Sequence, residues 1–234
     1  MYSKVNTCCL EGLNGYVVEC ECDLANGLRS FNIVGLPDTS IKESKERVRS
    51  AIENTGIRFP VKRITINLAP ANLRKEGSQL DLAIAMAILQ SMGVVEDFSD
   101  KWAFIGELSL DGRLNPVNGS LCMVLSLKDL GYERVYIPRQ NAQECSMVKG
   151  IEKVCVESLD EIIRILNGEQ ELKILDDIDI MQQEIHYDVD FSDIKGQKFL
   201  KRAMEISAAG FHNLLMIGPP GSGKTMSAMR LSTI

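Results

Sequence analysis

Residues 63–89 read RITINLAPANLRKEGSQLDLAIAMAIL and place a short strand shortly before an apolar helix. Polar and apolar side chains alternate from Arg63 to Leu68, which is typical of a strand with one buried face. The helix is predicted from Leu80 to Met92, with Ser78 as its N-cap and Asp81 completing a capping box. A strand followed by a packed helix indicates an α/β domain.

Alternation of polar and apolar side chains predicts further strands on both sides of this stretch. The first two are joined by a possible hairpin around Leu13-Asn14-Gly15. Helical spacing predicts helices over Leu121–Leu130 and Leu159–Leu166. The sum is an α/β domain with a mixed sheet and packed helices. The other strands are expected at Val5–Leu10, Tyr16–Cys22, Phe31–Val34, Ala103–Leu108, Arg134–Ile137 and Ile151–Val156.

Another helix is predicted within PDTSIKESKERVRSAIENTG, residues 37–56. Asp38 is its expected N-cap, and Gly56 lies just past its end. Its inner face is formed by Ile41, Val48 and Ile52, which recur at helical spacing. This helix is expected to pack on the sheet.

The outer face of the same helix carries Lys42, Lys45 and Arg49 at i, i+3 and i+7. These cations are candidates for contact with the phosphates of single-stranded or branched DNA. The helix also offers the i,i+4 pairs Glu43–Arg47 and Lys42–Glu46, a pattern of an ordinary solvated surface. The sequence leaves both interpretations open.

The composition of the chain limits the classes of protein to which it can belong. The chain has 234 residues, of which 45% are hydrophobic and 25% charged, with a net charge of −6, so a wholly basic nucleic-acid coat is excluded. The longest apolar run, Leu82–Leu89, is far shorter than the ~20 residues that cross a bilayer. The seven cysteines are odd in number and lack zinc-site spacing, and they indicate free thiols. We expect a cytoplasmic protein without membrane contact.

An acidic stretch marks a predicted domain boundary. Between Glu169 and Asp193 the only lysine or arginine is Lys173. A charged segment without sustained helical periodicity is typical of a solvated linker. We therefore predict a first domain over residues 1–168, a linker over 169–190 and the start of a second domain over 191–234.

The second domain contains a phosphate-binding motif. It follows an expected strand, Leu214–Ile217, and precedes a helix, as the motif G-x-x-x-x-G-K-[ST] requires. Backbone N–H groups of such a loop surround the phosphates of ATP, Lys224 neutralises their charge, and the Thr225 hydroxyl joins the shell of Mg²⁺. The predicted ATP-binding residues are Gly218, Pro219, Pro220, Gly221, Ser222, Gly223, Lys224 and Thr225.

The segment before the loop resembles a known family. The acidic lead-in, Asp193-Ile194-x-Gly196-Gln197, a helix over about 197–209 and HNLLMIGPPGSGKT resemble the start of an AAA+ module of the magnesium-chelatase-like branch. The resemblance implies that Ile194 and Gly196 lie against the adenine of ATP. His212 is interpreted as a polar turn residue.

Three longer stretches resemble the ComM/YifB family: FNIVGLPDTSIKESKERVRSAIENTG, RITINLAPANLRKEGSQLDLAIAMAIL and FIGELSLDGRLNPVNG. The resemblance implies a ring-forming AAA+ motor that acts on branched DNA during recombination in natural transformation. Two alternatives remain: a magnesium-chelatase-like subunit that inserts metal into a tetrapyrrole, and a protein-interaction module without DNA activity.

The first domain of that family is similar to the protease domain of Lon, a ribosomal-protein-type fold with a Ser–Lys dyad. Lys75-Glu76-Gly77 aligns with K-D-G of Lon, which puts Gln79 at the position of the nucleophile. Leu121 takes the position of the catalytic lysine. Neither side chain performs that chemistry, so we expect no proteolysis.

The phosphate loop is followed by only nine residues, too few to supply the remaining catalytic groups of an AAA+ ATPase. We interpret the chain as an N-terminal fragment, and we expect it to bind ATP weakly without turnover. Titration with labelled ATP and a phosphate-release assay check this expectation, and steady phosphate release by the purified chain would contradict it.

Overall fold

The computed structural model describes residues 1–178 and 187–234. The chain divides into two compact units, Met1–Asp179 and Ile180–Ile234. The part of the predicted linker at 179–186 lies outside the described residues. None of the helices in the two described ranges combines the length and the hydrophobicity that a bilayer crossing requires.

Seven strands of the first unit form a mixed sheet, which confirms the predicted fold class. Their order is β3-β4-β2-β1-β5-β8-β9. β1 pairs antiparallel with β2, and β2 with β4, whereas the remaining neighbours pair in parallel. The strands are β1 (Tyr2–Glu11), β2 (Asn14–Ala25), β3 (Ser30–Val34), β4 (Arg63–Ala69), β5 (Trp102–Phe104), β8 (Arg134–Pro138) and β9 (Glu152–Val156).

Helices cover both faces of this sheet. Successive strand residues point to opposite faces, so Cys8 joins one core cluster and its neighbour Cys9 the other. One face packs on α1 (Thr39–Asn54), α2 (Asp81–Met92) and α5 (Leu159–Leu166), and the other on α3 (Ser120–Asp129) and α4 (Ala142–Cys145).

The predicted caps and inner face of α1 are confirmed. The Asp38 carboxylate accepts from the Ile41 N–H at 2.8 Å, and Ile41, Val48 and Ile52 are fully buried. The cap satisfies one of the N–H groups that the first turn leaves without a helical partner.

α2 is buried almost all round, as expected for a helix with apolar residues on every face. From Asp81 to Leu89 no residue is more than 1% exposed. The predicted capping box is wrong, because the Ser78 hydroxyl donates to Glu107 instead of capping the helix. Ser78 belongs to a short 3₁₀ turn, Ser78–Leu80, that precedes the helix.

Asp81 forms a buried ion pair with α1. Its carboxylate accepts from Arg47 Nε at 2.7 Å and Nη2 at 3.0 Å, and from the Leu108 N–H at 3.3 Å. Arg47, predicted to pair with Glu43, therefore reaches across to α2 instead. Burial raises the pKa of Asp81 to about 6 although the guanidinium opposes this rise.

The single strand predicted at Ala103–Leu108 is wrong, because the chain turns after β5. The Gly106 N–H donates to Gln79 O at 3.0 Å, and its carbonyl accepts from the Leu82 N–H at 3.0 Å. The backbone thus leaves the large sheet to meet the start of α2. The residues that follow form β6 (Glu107–Leu108), which pairs with β7 (Leu114–Asn115).

Part of the segment 169–178 contacts β9. Ile174 bridges to Val154, and the Leu175 N–H donates to Lys153 O at 2.8 Å. The ammonium of Lys153 is fully buried and donates to Asp177. A carboxylate from the acidic stretch therefore neutralises a buried lysine of the first unit.

The second unit contains α6 (Lys198–Gly210) and α7 (Lys224–Met229). The strand predicted at Leu214–Ile217 is wrong. A strand needs a hydrogen-bonded neighbour, and no strand occurs among the described residues of this unit. Leu215 and Ile217 are 81% and 88% exposed.

We predict that Arg47→Met lowers the free energy of unfolding by about 3 kcal/mol at pH 7, because it leaves a buried carboxylate uncompensated. Burial already raises the folded-state pKa of Asp81 to about 6 with Arg47 present, and removal of the cation should raise it further. The part of the loss that depends on pH should therefore be small below about pH 6, grow as the pH rises above that value and level off above the folded-state pKa of the variant. Urea unfolding between pH 4 and pH 8 measures it.

The matched control is Arg49→Met on the same helix. Arg49 pairs with Glu53 at 3.2 Å, and both side chains are at least 40% exposed. Removing such a pair should cost less than about 1 kcal/mol. Equal losses for the two variants would refute a special role for the buried pair.

Candidate phosphate-binding site

The phosphate loop closes around its own lysine. Lys224 Nζ donates to Gly218 O at 2.7 Å, Pro219 O at 2.8 Å and Ser222 Oγ at 3.3 Å. Three acceptors from one loop hold the ammonium beside the backbone of residues 218–222. The ammonium of Lys224 therefore lies within the loop whose bound phosphates it is expected to neutralise.

Glycine is required where this loop turns. Gly221 and Gly223 have φ angles of 79° and 81°, a region that side chains with a Cβ rarely adopt. A Cβ at either position would meet nothing within 4 Å, so open space lies beside the backbone. Gly223 is also the N-cap of α7, which contributes the positive end of a helix dipole.

This donor set fits a phosphate chain with a divalent cation. The loop offers backbone N–H groups, the ammonium of Lys224 and the hydroxyls of Ser222 and Thr225 around open space. Thr225 is exposed at the start of α7. Hydroxyl oxygen is a hard ligand that suits Mg²⁺.

The segment predicted to contact adenine is connected to the far end of α7. Asp193 accepts from Arg230 Nε at 3.2 Å, and the Phe191 N–H donates to Thr233 Oγ1 at 2.9 Å. Ile194 is 2% exposed, and Gly196 has a φ of 68°. These contacts bring the Ile194–Gly196 segment beside the helix that starts at the phosphate loop.

His212 lies in the turn after α6. Its N–H donates to Ser207 O at 3.0 Å, and its carbonyl accepts from Ser207 Oγ at 2.5 Å. The residue is exposed. Its backbone closes the helix end, which agrees with the turn interpretation.

The predicted alignment with Lon places Gln79 of the first unit at the nucleophile position. Its amide donates to Glu76 O at 2.7 Å and lies 3.6 Å from Cys9 Sγ. Cys9 is 1% exposed, and burial raises the pKa of its thiol to about 11. The sulfur is therefore held as a thiol at neutral pH, which is not the nucleophilic form.

Leu121, aligned with the Lon lysine, packs as an apolar residue on the core cluster that contains Val124 and Leu127. A different lysine is buried in this unit: Lys75 is 0% exposed and donates to Pro70 O. Desolvation lowers the pKa of Lys75. Sequence reasoning missed this burial, because Lys75 stands in a polar stretch that reads as a loop.

The three predicted cations of α1 separate in the structure. Lys45 and Arg49 line a cavity of about 300 Å³ together with residues from two other segments. Lys42 is exposed on the same helix but does not line this cavity.

Two family models match the chain. One, described as subunit ChlI of Mg-chelatase, matches residues 20–141, which is more than half of the chain. The other, described as magnesium chelatase, subunit ChlI, matches residues 190–234 and includes the phosphate loop.

Known proteins of similar sequence confirm the predicted resemblance to the ComM/YifB family. The chain is 39% identical to competence protein ComM of Haemophilus influenzae over 226 residues, covering 94% of this chain and 44% of the relative. It is 38% identical to uncharacterized protein YifB of Escherichia coli over 231 residues, covering 98% and 45%. The chain therefore spans less than half the length of these relatives.

A Lon protease is a more distant relative. The Lon protease of Lachnoclostridium phytofermentans is 24% identical over 164 residues, covering 65% of this chain and 20% of the relative. This weak similarity agrees with a Lon-like first unit.

We predict that Cys9 resists alkylation by iodoacetamide at pH 8 in the native protein, because its thiol is buried and protonated. Cys122, which is partly exposed, should be labelled first. Peptide mass mapping after timed labelling measures both rates. Denatured protein, in which all seven cysteines react, is the control. Native labelling of Cys9 as fast as Cys122 would show an accessible, reactive thiol instead.

Proposed function

Because the chain belongs to the family described as subunit ChlI of magnesium chelatase, we propose that its second unit binds ATP and Mg²⁺ through residues 218–225. The observation that carries this proposal is the loop closed around the Lys224 ammonium beside two glycines with positive φ. Bound ATP would supply a phosphoanhydride whose hydrolysis drives conformational change.

The residues of this chain have separate roles in the proposed site. Lys224 exchanges its bonds to the loop carbonyls for bonds to phosphate oxygens, which strengthens binding because both partners are charged. Thr225 contributes its hydroxyl to the shell of Mg²⁺. Gly221 and Gly223 keep the backbone N–H groups accessible, and Ile194 and Gly196 form the adenine side.

For the whole protein we propose an AAA+ motor that assembles into a ring and acts on branched DNA in recombination. The relative from Haemophilus influenzae is named a competence protein, which supports a role in recombination during natural transformation. In this proposal the first unit assists assembly or DNA engagement rather than proteolysis, in keeping with Gln79 and Leu121 at the dyad positions. The free thiols support a cytoplasmic location.

A metal-insertion role is the second candidate, and the description of both family models favours it. In that case a tetrapyrrole, rather than DNA, would change the affinity for nucleotide. Titrating a fluorescent ATP analogue with a four-way DNA junction or with a porphyrin present distinguishes the two. Tighter nucleotide binding with the junction supports the DNA motor, and tighter binding with the porphyrin overturns it in favour of metal insertion.

We predict that Lys224→Ala weakens binding of a fluorescent ATP analogue by about tenfold or more, because a charge-assisted contact is lost. The affinity for the analogue should be higher with Mg²⁺ than with EDTA. Thr225→Val should reduce this difference and leave the affinity in EDTA unchanged. Lys198→Ala removes an exposed lysine of the same unit and is the matched control. If Lys224→Ala and Lys198→Ala bind the analogue equally well, ATP does not bind at this loop.

A further inference from the structure

We propose that the first unit binds single-stranded nucleic acid in the basic cavity formed by Arg29, Phe31, Lys45, Arg49 and Lys62. The choice of nucleic acid as the ligand rests on the proposed function. The location rests on the shape, charge and aromatic lining of the cavity, and it is separate from the phosphate loop.

The cavity lies at one edge of the sheet. β3 is an edge strand, and its residue Phe31 lines the cavity beside Ser30. Lys45 and Arg49 come from α1, and Phe59, Pro60 and Lys62 come from the segment before β4. The volume of about 300 Å³ is near the lower end of the range for small-ligand sites, so it suits one nucleotide rather than a duplex.

The charge around this cavity is positive, although the chain carries a net charge of −6. Four cations line it, Arg29, Lys45, Arg49 and Lys62, and among the described residues Glu46 is the one carboxylate in the lining. Arg49 also donates to Glu53 at 3.2 Å, which brings the count to four cations against two carboxylates. An anionic ligand is therefore favoured here against the field of the whole protein.

An aromatic wall distinguishes this cavity from a simple anion site. The Phe31 and Phe59 rings lie 5.9 Å apart at their centroids, with their planes tilted by 36°. Phe59 is only 5% exposed and fixes the pair in the core, whereas Phe31 is half-buried. Cations around an aromatic face are the combination that binds a phosphate and stacks its unpaired base.

The cluster is assembled only by folding. Its cations come from three separate segments, at 29, 45–49 and 62. Lys42, which shares a helix face with Lys45 in the sequence pattern, lies outside it. The sequence pattern predicted a line of three cations along one helix. The structure instead groups four cations from three segments around the Phe31 ring.

The test is binding of a short fluorescent oligothymidylate to the 234-residue chain, followed by anisotropy across a series of salt concentrations without ATP. For single strands each phosphate contact contributes about 0.7 to the slope of log affinity against log salt. The double variant Lys45→Ala/Lys62→Ala should therefore flatten the slope by about 1.4 and weaken binding. Phe31→Leu should weaken binding several-fold with little change in slope, because it removes a stacking face but no charge.

Three comparisons decide the outcome. Lys42→Ala/Lys128→Ala removes the same charge outside the cavity and should leave the slope unchanged; an equal flattening would overturn the proposal. Absence of oligothymidylate binding by the folded wild type at low salt would also overturn it. Lys224→Ala should bind the oligonucleotide normally, and loss of binding there would move the site to the phosphate loop.

This design separates the two proposals. If Lys224→Ala abolishes ATP binding but the cavity variants leave oligonucleotide binding unchanged, the proposed ATP site is supported and the proposed cavity site is overturned. If the cavity variants weaken oligonucleotide binding but the chain does not bind ATP, the cavity site is supported and the ATP site is overturned.

Discussion

The ion pair between Arg47 and Asp81 is the contact on which the arrangement of the first unit depends. α2 is apolar on every side, and its one charged residue lies at its first turn with 1% exposure. A carboxylate is stable there only if a cation and hydrogen-bond donors satisfy it. Arg47 from α1 and the Leu108 N–H from β6 do so, and they thereby fix both elements against the start of α2.

At that start, the turn that carries Gln79 meets the strand end at Gly106, and α3 begins at Ser120. The predicted alignment with Lon puts the catalytic dyad at Gln79 and Leu121. In this structure Gln79 is an amide near the buried thiol of Cys9, and Leu121 is an apolar packing residue. A fold can keep its backbone contacts when catalytic groups are lost, because the catalytic side chains contribute little to the core.

The second unit gives the complementary case, in which a site is formed locally. Lys224 contacts acceptors only two to six residues away, so the hydrogen bonds that close the phosphate loop are all local. Positive φ angles at two glycines add to them in shaping the loop.

The sequence by itself determined most strands and helices, the mixed α/β class and the phosphate loop, because periodicity, capping at Asp38 and motif spacing involve neighbouring residues. It did not determine the turn at Gly106, the pairing of Arg47 with Asp81, the burial of Lys75 or the cavity around Phe31. Each of these depends on a partner far away in the chain. Such partners are chosen by burial and hydrogen-bond satisfaction in the folded core, which only the tertiary structure decides.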